Sequence, residues 1–262
     1  MSKITPPRFD NPLFVAIDTT DAGRAAALAR AVASSAGGIK LGLEFFMANG
    51  AGGVHAVRAA APDLPLFLDL KFHDIPNTVA GAVRAVAPLA PALLTIHASG
   101  GPAMIRAARE AAAEAADRLG IATPPAVVAV TVLTSLDDTD LMSVGQRGPS
   151  GDQVLRLTDT ALAHGAAGVV CAPTELVRLR GRFGAQPLMV VPGIRPADAA
   201  RGDQKRVMTP AEARSAGADV LVVGRPITGA DDPADAAARI AHEIVERHRS
   251  LEELALIGVR TR

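Results

Sequence analysis

Short apolar runs recur along the chain, each followed by a polar or glycine-containing turn and then by an alanine-rich stretch with helical spacing. Apolar runs of this length, bounded by turn signals, read as strands buried on both faces. The pattern predicts strands at 13–18, 38–42, 65–70, 92–97, 126–133, 167–171, 188–192 and 219–224. Helical periodicity falls between them, at 21–34, 43–60, 78–87, 102–119, 152–164, 173–181 and 209–215, with a last helix at 233–249. Start signals support several of these helices: Thr20 or Asp21, Thr78, Pro102, Pro173, and Thr209 before Pro210 with Glu212 in the first turn. Eight strands alternating with helices favour a closed (β/α)8 barrel, an α/β fold with a parallel sheet, over an open doubly wound sheet. VAIDTTDAG stands where a dinucleotide fold would carry GxGxxG after its first strand.

Length and composition fit one large core. The 262 residues are 49% hydrophobic, and 24 Gly and 19 Pro are spread along the chain instead of marking a linker. A single barrel domain over 1–262 is expected, with 1–12 and 251–262 as peripheral termini. Lys plus Arg equals Asp plus Glu at 27 each, and aromatics make up only 3%. That balance gives no bulk attraction to nucleic acid or to an anionic membrane, so any anion is bound locally. The sole cysteine, Cys171, lies in an apolar run and excludes an intrachain disulfide. The first residues, MSKITPPRFDN, lack the apolar core of a signal peptide, and no apolar run reaches membrane-span length. A cytoplasmic protein is the expectation.

In a barrel, the polar residues that close the strands line a common mouth. Here they are Asp18, Lys40, Asp69, Lys71, His97, Thr131, Thr134, Gly193 and Gly224. The third strand is the most informative, because LFLDLKFHDIPNT sets Asp69 and Lys71 two residues apart, on one side of a strand, with Asp74 after a short turn. A lysine beside two aspartates is held as ammonium. This argues against a Schiff-base lysine and for a cation that donates a proton or stabilises a carbanion. The alternative is a salt-bridge network that only closes the barrel wall.

VVPGIRP at the seventh strand and VVGRPIT at the eighth form a second constellation. Loops at these places often hold a phosphate, with glycines admitting close backbone approach. Arg225 and Arg195 are the candidate charge partners, and the polar stretch 195–207 could form a lid carrying Gln204. The loop 135–150 is equally long. His73 and His97 have no partner at metal-ligand spacing, so both read as structural or as supports to the acid and lysine cluster, and no metal is expected.

These residues resemble the orotidine 5'-monophosphate decarboxylase family. DLKFHDIPNT is similar to its central signature, and FVAID, IKLGLEFF, IHASGG, VTVLTSL, PGIR with GDQKRV, and VVGRPIT follow in order and spacing. The resemblance implies a homodimeric barrel that converts orotidine 5'-monophosphate to uridine 5'-monophosphate and carbon dioxide without metal or organic cofactor. It implies that Lys71 protonates C6 and stabilises the vinyl carbanion. Asp69 would stand near the departing carboxylate, either repelling it or ordering the lysines. Lys40 would join the charge chain and reach the ribose, and Asp18 would hold a ribose hydroxyl. Asp74 and Thr78 would enter from the partner subunit, and Ile75 between them belongs to the same substrate-binding set. Thr134 lies in the segment that reads the pyrimidine, Gln204 bridges base and phosphate, and Arg195, Gly224 and Arg225 belong to the phosphate side. Two rivals remain at this stage: a magnesium-dependent phosphosugar enzyme on the same barrel, and a catalytically silent barrel that binds a nucleotide.

Overall fold

The computed structural model describes residues 6–196 and 208–245. Eight parallel strands close into a barrel in chain order: β1 (Leu13–Ile17), β2 (Gly38–Gly42), β3 (Leu66–Phe72), β4 (Leu93–His97), β5 (Ala126–Val130), β6 (Gly168–Val170), β7 (Leu188–Val191) and β8 (Val220–Val223). Closure is made by β8 on β1, where Leu13 pairs with Leu221 and Val15 with Val223. Around the sheet lie α1 (Ala22–Val32), α2 (Leu43–Ala60), α3 (Pro76–Val86), α4 (Gly101–Leu119), α5 (Asp138–Ser143), α6 (Ser150–Ala163), α7 (Leu176–Phe183), α8 (Pro210–Ser215) and α9 (Arg225–Thr228). Residues 233–245 form a further helix, α10. The described residues form a single (β/α)8 barrel, as the apolar pattern predicts. Among the described residues, no helix is long and apolar enough to cross a membrane.

Alternation along each strand divides the buried residues into two cores. Leu13, Val15 and Ile17 of β1 face the helices, whereas Phe14 and Ala16 fill the barrel interior with Phe67, Leu93, Val128, Val190 and Val220. Phe14 is accommodated because β2 begins with glycine. A Cβ at Gly38 would lie 2.3 Å from the Phe14 ring. Below the barrel, Phe9 packs edge-on against Phe14 with ring centroids 4.9 Å apart. The inward phase then continues upward into polar residues: Phe14, Ala16, Asp18 on β1; Gly38, Lys40, Gly42 on β2; Phe67, Asp69, Lys71 on β3. Register sets these tiers side by side, since Ala16 pairs with Lys40 and Gly42 with Asp69.

Three local features depart from the sequence expectation. Helix α3 begins at Pro76, not Thr78, after an extended Ile75 at its N-cap. Proline at the first helical position costs no hydrogen bond, because that N–H has no partner inside the helix. Helix α2 is interrupted at Gly50, whose φ of 57° and ψ of −157° only glycine adopts without strain. The segment expected as the loop 135–150 contains α5, started by a capping box between Asp137 and Asp140.

Candidate active site

Asp69 is the hub of the upper tier. Its Oδ2 accepts from Lys71 Nζ at 2.7 Å and lies 3.7 Å from Lys40 Nζ, while Lys40 reaches Asp18 Oδ1 at 3.1 Å. Its Oδ1 accepts from the Thr95 hydroxyl at 3.0 Å. Burial pushes the Asp69 carboxyl up, but the ammonium groups of Lys40 and Lys71, with the hydrogen bonds from Lys71 and Thr95, outweigh it. The net result holds Asp69 below its usual value and therefore ionised at neutral pH. The chain of alternating charge read from the sequence is thus present, Asp18 to Lys40 to Asp69 to Lys71, and it sits at the carboxyl ends of the strands, where barrels place their chemistry.

Two backbone features make room for this chain. A Cβ on Gly42 would come within 3.1 Å of Lys40 Nζ, so the end of β2 is bare where the ammonium passes. On β3 the register against β4 shifts between Leu68 and Phe72, and Lys71 takes a positive φ of 48°. Such bulges re-aim side chains near active sites.

The cluster opens into a cavity of about 410 Å³ lined by Asp18, Lys40, Asp69, Lys71, Thr134, Gly193, Arg195, Gly224 and Arg225. That volume suits a nucleotide-sized ligand. Beyond the end of β7, Arg195 also lines the cavity; it is nine-tenths buried and its Nε has no hydrogen-bond partner. Burial, and then the neighbouring Arg225 guanidinium, lower the Arg195 pKa. Two adjacent cations, one with an orphaned buried donor, make a place for an anion with several acceptor oxygens. Gly193, at φ 78°, lets the chain turn above β7, and Gly224 caps α9 at the end of β8.

Other expected residues fall elsewhere. Thr131 is buried and donates its hydroxyl proton to Val170 O at 2.9 Å, a packing role off the cavity wall. His97 does not line the cavity; its ring lies 5.2 Å from that of His73. Burial, with His73 and Lys71 nearby, lowers the His97 pKa against the opposing pull of Asp69, so the ring is neutral at pH 7. Asp74, Ile75 and Thr78 are exposed and outside the cavity of their own chain. Gln204 lies outside the described residues. Among the described residues, no three His, Cys, Asp or Glu side chains are grouped as metal ligands. Sequence reasoning missed Thr95, Gly42 and the cavity-wall position of buried Cys171. Only Gly42 carried a signal, two residues after Lys40 in the inward phase.

A family model described as the orotidine 5'-phosphate decarboxylase / HUMPS family matches residues 11–240. The chain belongs to this family. A protein of Rhodospirillum rubrum named orotidine 5'-phosphate decarboxylase is 61% identical over 236 residues, which is 90% of this chain and 94% of that protein. One of the same name from Paramagnetospirillum magneticum is 58% identical over 234 residues, 89% of this chain and 98% of the other. Among solved structures, orotidine 5'-phosphate decarboxylase from Lactobacillus acidophilus superposes with a TM-score of 0.76 at 35% identity, covering 90% of this chain and all of that one. The name these relatives carry describes an enzyme whose substrate bears both a phosphate and a carboxylate.

Proposed function

We propose that this protein is a carboxy-lyase that converts orotidine 5'-monophosphate to uridine 5'-monophosphate and carbon dioxide. The observation that carries the reading is Lys71 Nζ held 2.7 Å from the largely buried Asp69 in a cavity that Arg195 and Arg225 also line. The arginines take the phosphate, with Gly224 on the same side, and the family resemblance assigns Gln204 to bridge base and phosphate. Asp18 and Lys40 meet the ribose, and Thr134 faces the pyrimidine. The bond from C6 to the carboxylate carbon breaks and carbon dioxide leaves. Its electron pair stays on C6 beside the Lys71 ammonium, which then delivers a proton to that carbon. Asp69 has one oxygen on Lys71 and the other on Thr95, a geometry that favours ordering the lysines as its main task. No cofactor enters this scheme: the charge that stabilises the carbanion is fixed before substrate arrives. Phosphate binding, remote from C6, supplies energy realised at the reacting carbon.

The proposed working unit is a cytoplasmic homodimer with shared sites. Asp74, Ile75 and Thr78 project outside their own cavity, and Ile75, 66% exposed, accompanies Leu43 and Met47 as exposed apolar residues at the starts of α2 and α3. A second copy placed there would cover them and bring its Asp74, Ile75 and Thr78 to the first copy's substrate.

The test is paired turnover and binding. Wild-type protein is expected to release one carbon dioxide per uridine 5'-monophosphate formed. Lys71→Ala is expected to lose at least about 10⁴-fold in kcat, since one group provides both charge and proton. It should still bind uridine 5'-monophosphate through the arginines. Near wild-type turnover by the variant would remove Lys71 from the mechanism.

A further inference from the structure

Thr95 lies in the middle of β4 with no exposed surface. A hydroxyl so buried must find partners, and the partners of Thr95 are both on β3. Its Oγ1 accepts the Lys71 backbone N–H at 2.8 Å and donates to Asp69 Oδ1 at 3.0 Å. A hydroxyl has one proton; with an N–H donor on one side, that proton is committed to the carboxylate. A closed loop results, from Asp69 Oδ1 through Thr95 to the Lys71 backbone, and back from Lys71 Nζ to Asp69 Oδ2 at 2.7 Å.

The loop sits where β3 departs from regular geometry. Lys71 is left-handed at φ 48°, a conformation that strains a residue with a Cβ and persists where its surroundings enforce it. Thr95 grips the N–H of that residue. The same hydroxyl fixes the rotation of the Asp69 carboxylate, so that Oδ2 is the oxygen left for the ammonium.

We infer that Thr95 is a positioning residue for the decarboxylation. It is not part of the cavity wall; it acts through Asp69 and Lys71 by holding the bulge and the carboxylate in one arrangement. The inference rests on the function proposed above.

Three proteins test it side by side: wild type, Thr95→Val, which keeps the shape and removes the hydroxyl, and Thr95→Ser, which keeps the hydroxyl and removes a methyl. The Val variant is expected to lose about 10- to 100-fold in kcat, the scale expected when a reacting group is misplaced by about 1 Å. Its KM, and its affinity for uridine 5'-monophosphate by calorimetry, should stay close to wild type because the arginines are untouched. The Ser variant should recover most of the lost kcat. Wild-type kcat in the Val variant would overturn the inference, as would a Ser variant as impaired as Val, which would assign the effect to packing. If Thr95→Val lacks the circular dichroism of folded protein, Thr95→Ala takes its place in the same comparison. Absence of turnover by wild type would overturn the proposed function and this inference together, whereas active wild type with an unimpaired Val variant overturns only the role of Thr95.

Discussion

Asp69 has two oxygens and three partners, and the protein meets that demand by burying Thr95 and Lys40 around it and leaving Lys71 partly open to the cavity. Its depressed pKa has a consequence for folding. The unfolded carboxyl titrates near the ordinary value of 3.8 and the folded one lower, so the stabilisation is fully present above 3.8 and is lost as pH falls through the folded value. His97 adds to the acid side by a different route. Its folded pKa lies below the ordinary histidine value of 6.5, mainly through burial, so its contribution is present above 6.5 and is lost as pH falls through its own folded value. Urea unfolding midpoints are therefore expected to drop between neutrality and pH 5 in the wild type, and to drop less in His97→Gln. Identical pH profiles for the two proteins would exclude His97 as a source of acid sensitivity. At this scale the sequence was legible for charged residues and opaque for Thr95. Asp69 and Lys71 at i and i+2 announce a shared face, but a threonine within LLTIH reads as an ordinary strand residue until β3 is placed beside it.

The two ends of the barrel divide stability from chemistry. At the amino end, Arg180 of α7 donates to Gly217 O, Gly184 O and Pro187 O and pairs with Asp219, whose carboxylate also accepts Met189 N–H. Both side chains of that pair are largely buried. Arg180→Ala is expected to cost about 3 kcal/mol of stability, by leaving Asp219 without its main cation. Its kcat should stay near wild type, because the cavity is at the opposite end. A thermal melt and a steady-state assay on the same preparation check both halves; lost activity with unchanged melting would refute the division. The elements themselves were readable because apolar runs alternate with helical spacing, which a parallel barrel requires. What was less readable has a local cause. Helix α5 is six residues long and has too few turns to show a period, and the start of α3 is decided by Pro76, which competes with the Thr78 signal two residues later.

At the scale of the whole molecule, the proposed dimer makes each site depend on two chains. Asp74, exposed on its own protomer, would serve the neighbour's substrate. Mixing Lys71→Ala with Asp74→Ala should then generate hybrid dimers in which one of two sites has both residues intact. Random exchange predicts roughly a quarter of wild-type activity from two nearly inactive proteins. No recovery after demonstrated subunit exchange would show that each protomer completes its own site. The central claim concerns a single protomer's chemistry within that assembly: a preset ammonium and carboxylate suffice to break the carbon–carbon bond. Its most direct test follows the ultraviolet absorbance of orotidine 5'-monophosphate mixed with purified protein in excess chelator. Rapid conversion to uridine 5'-monophosphate, unchanged by chelator, is the result the account predicts; conversion that stops with chelator and returns with magnesium, or no conversion by folded protein, would contradict it.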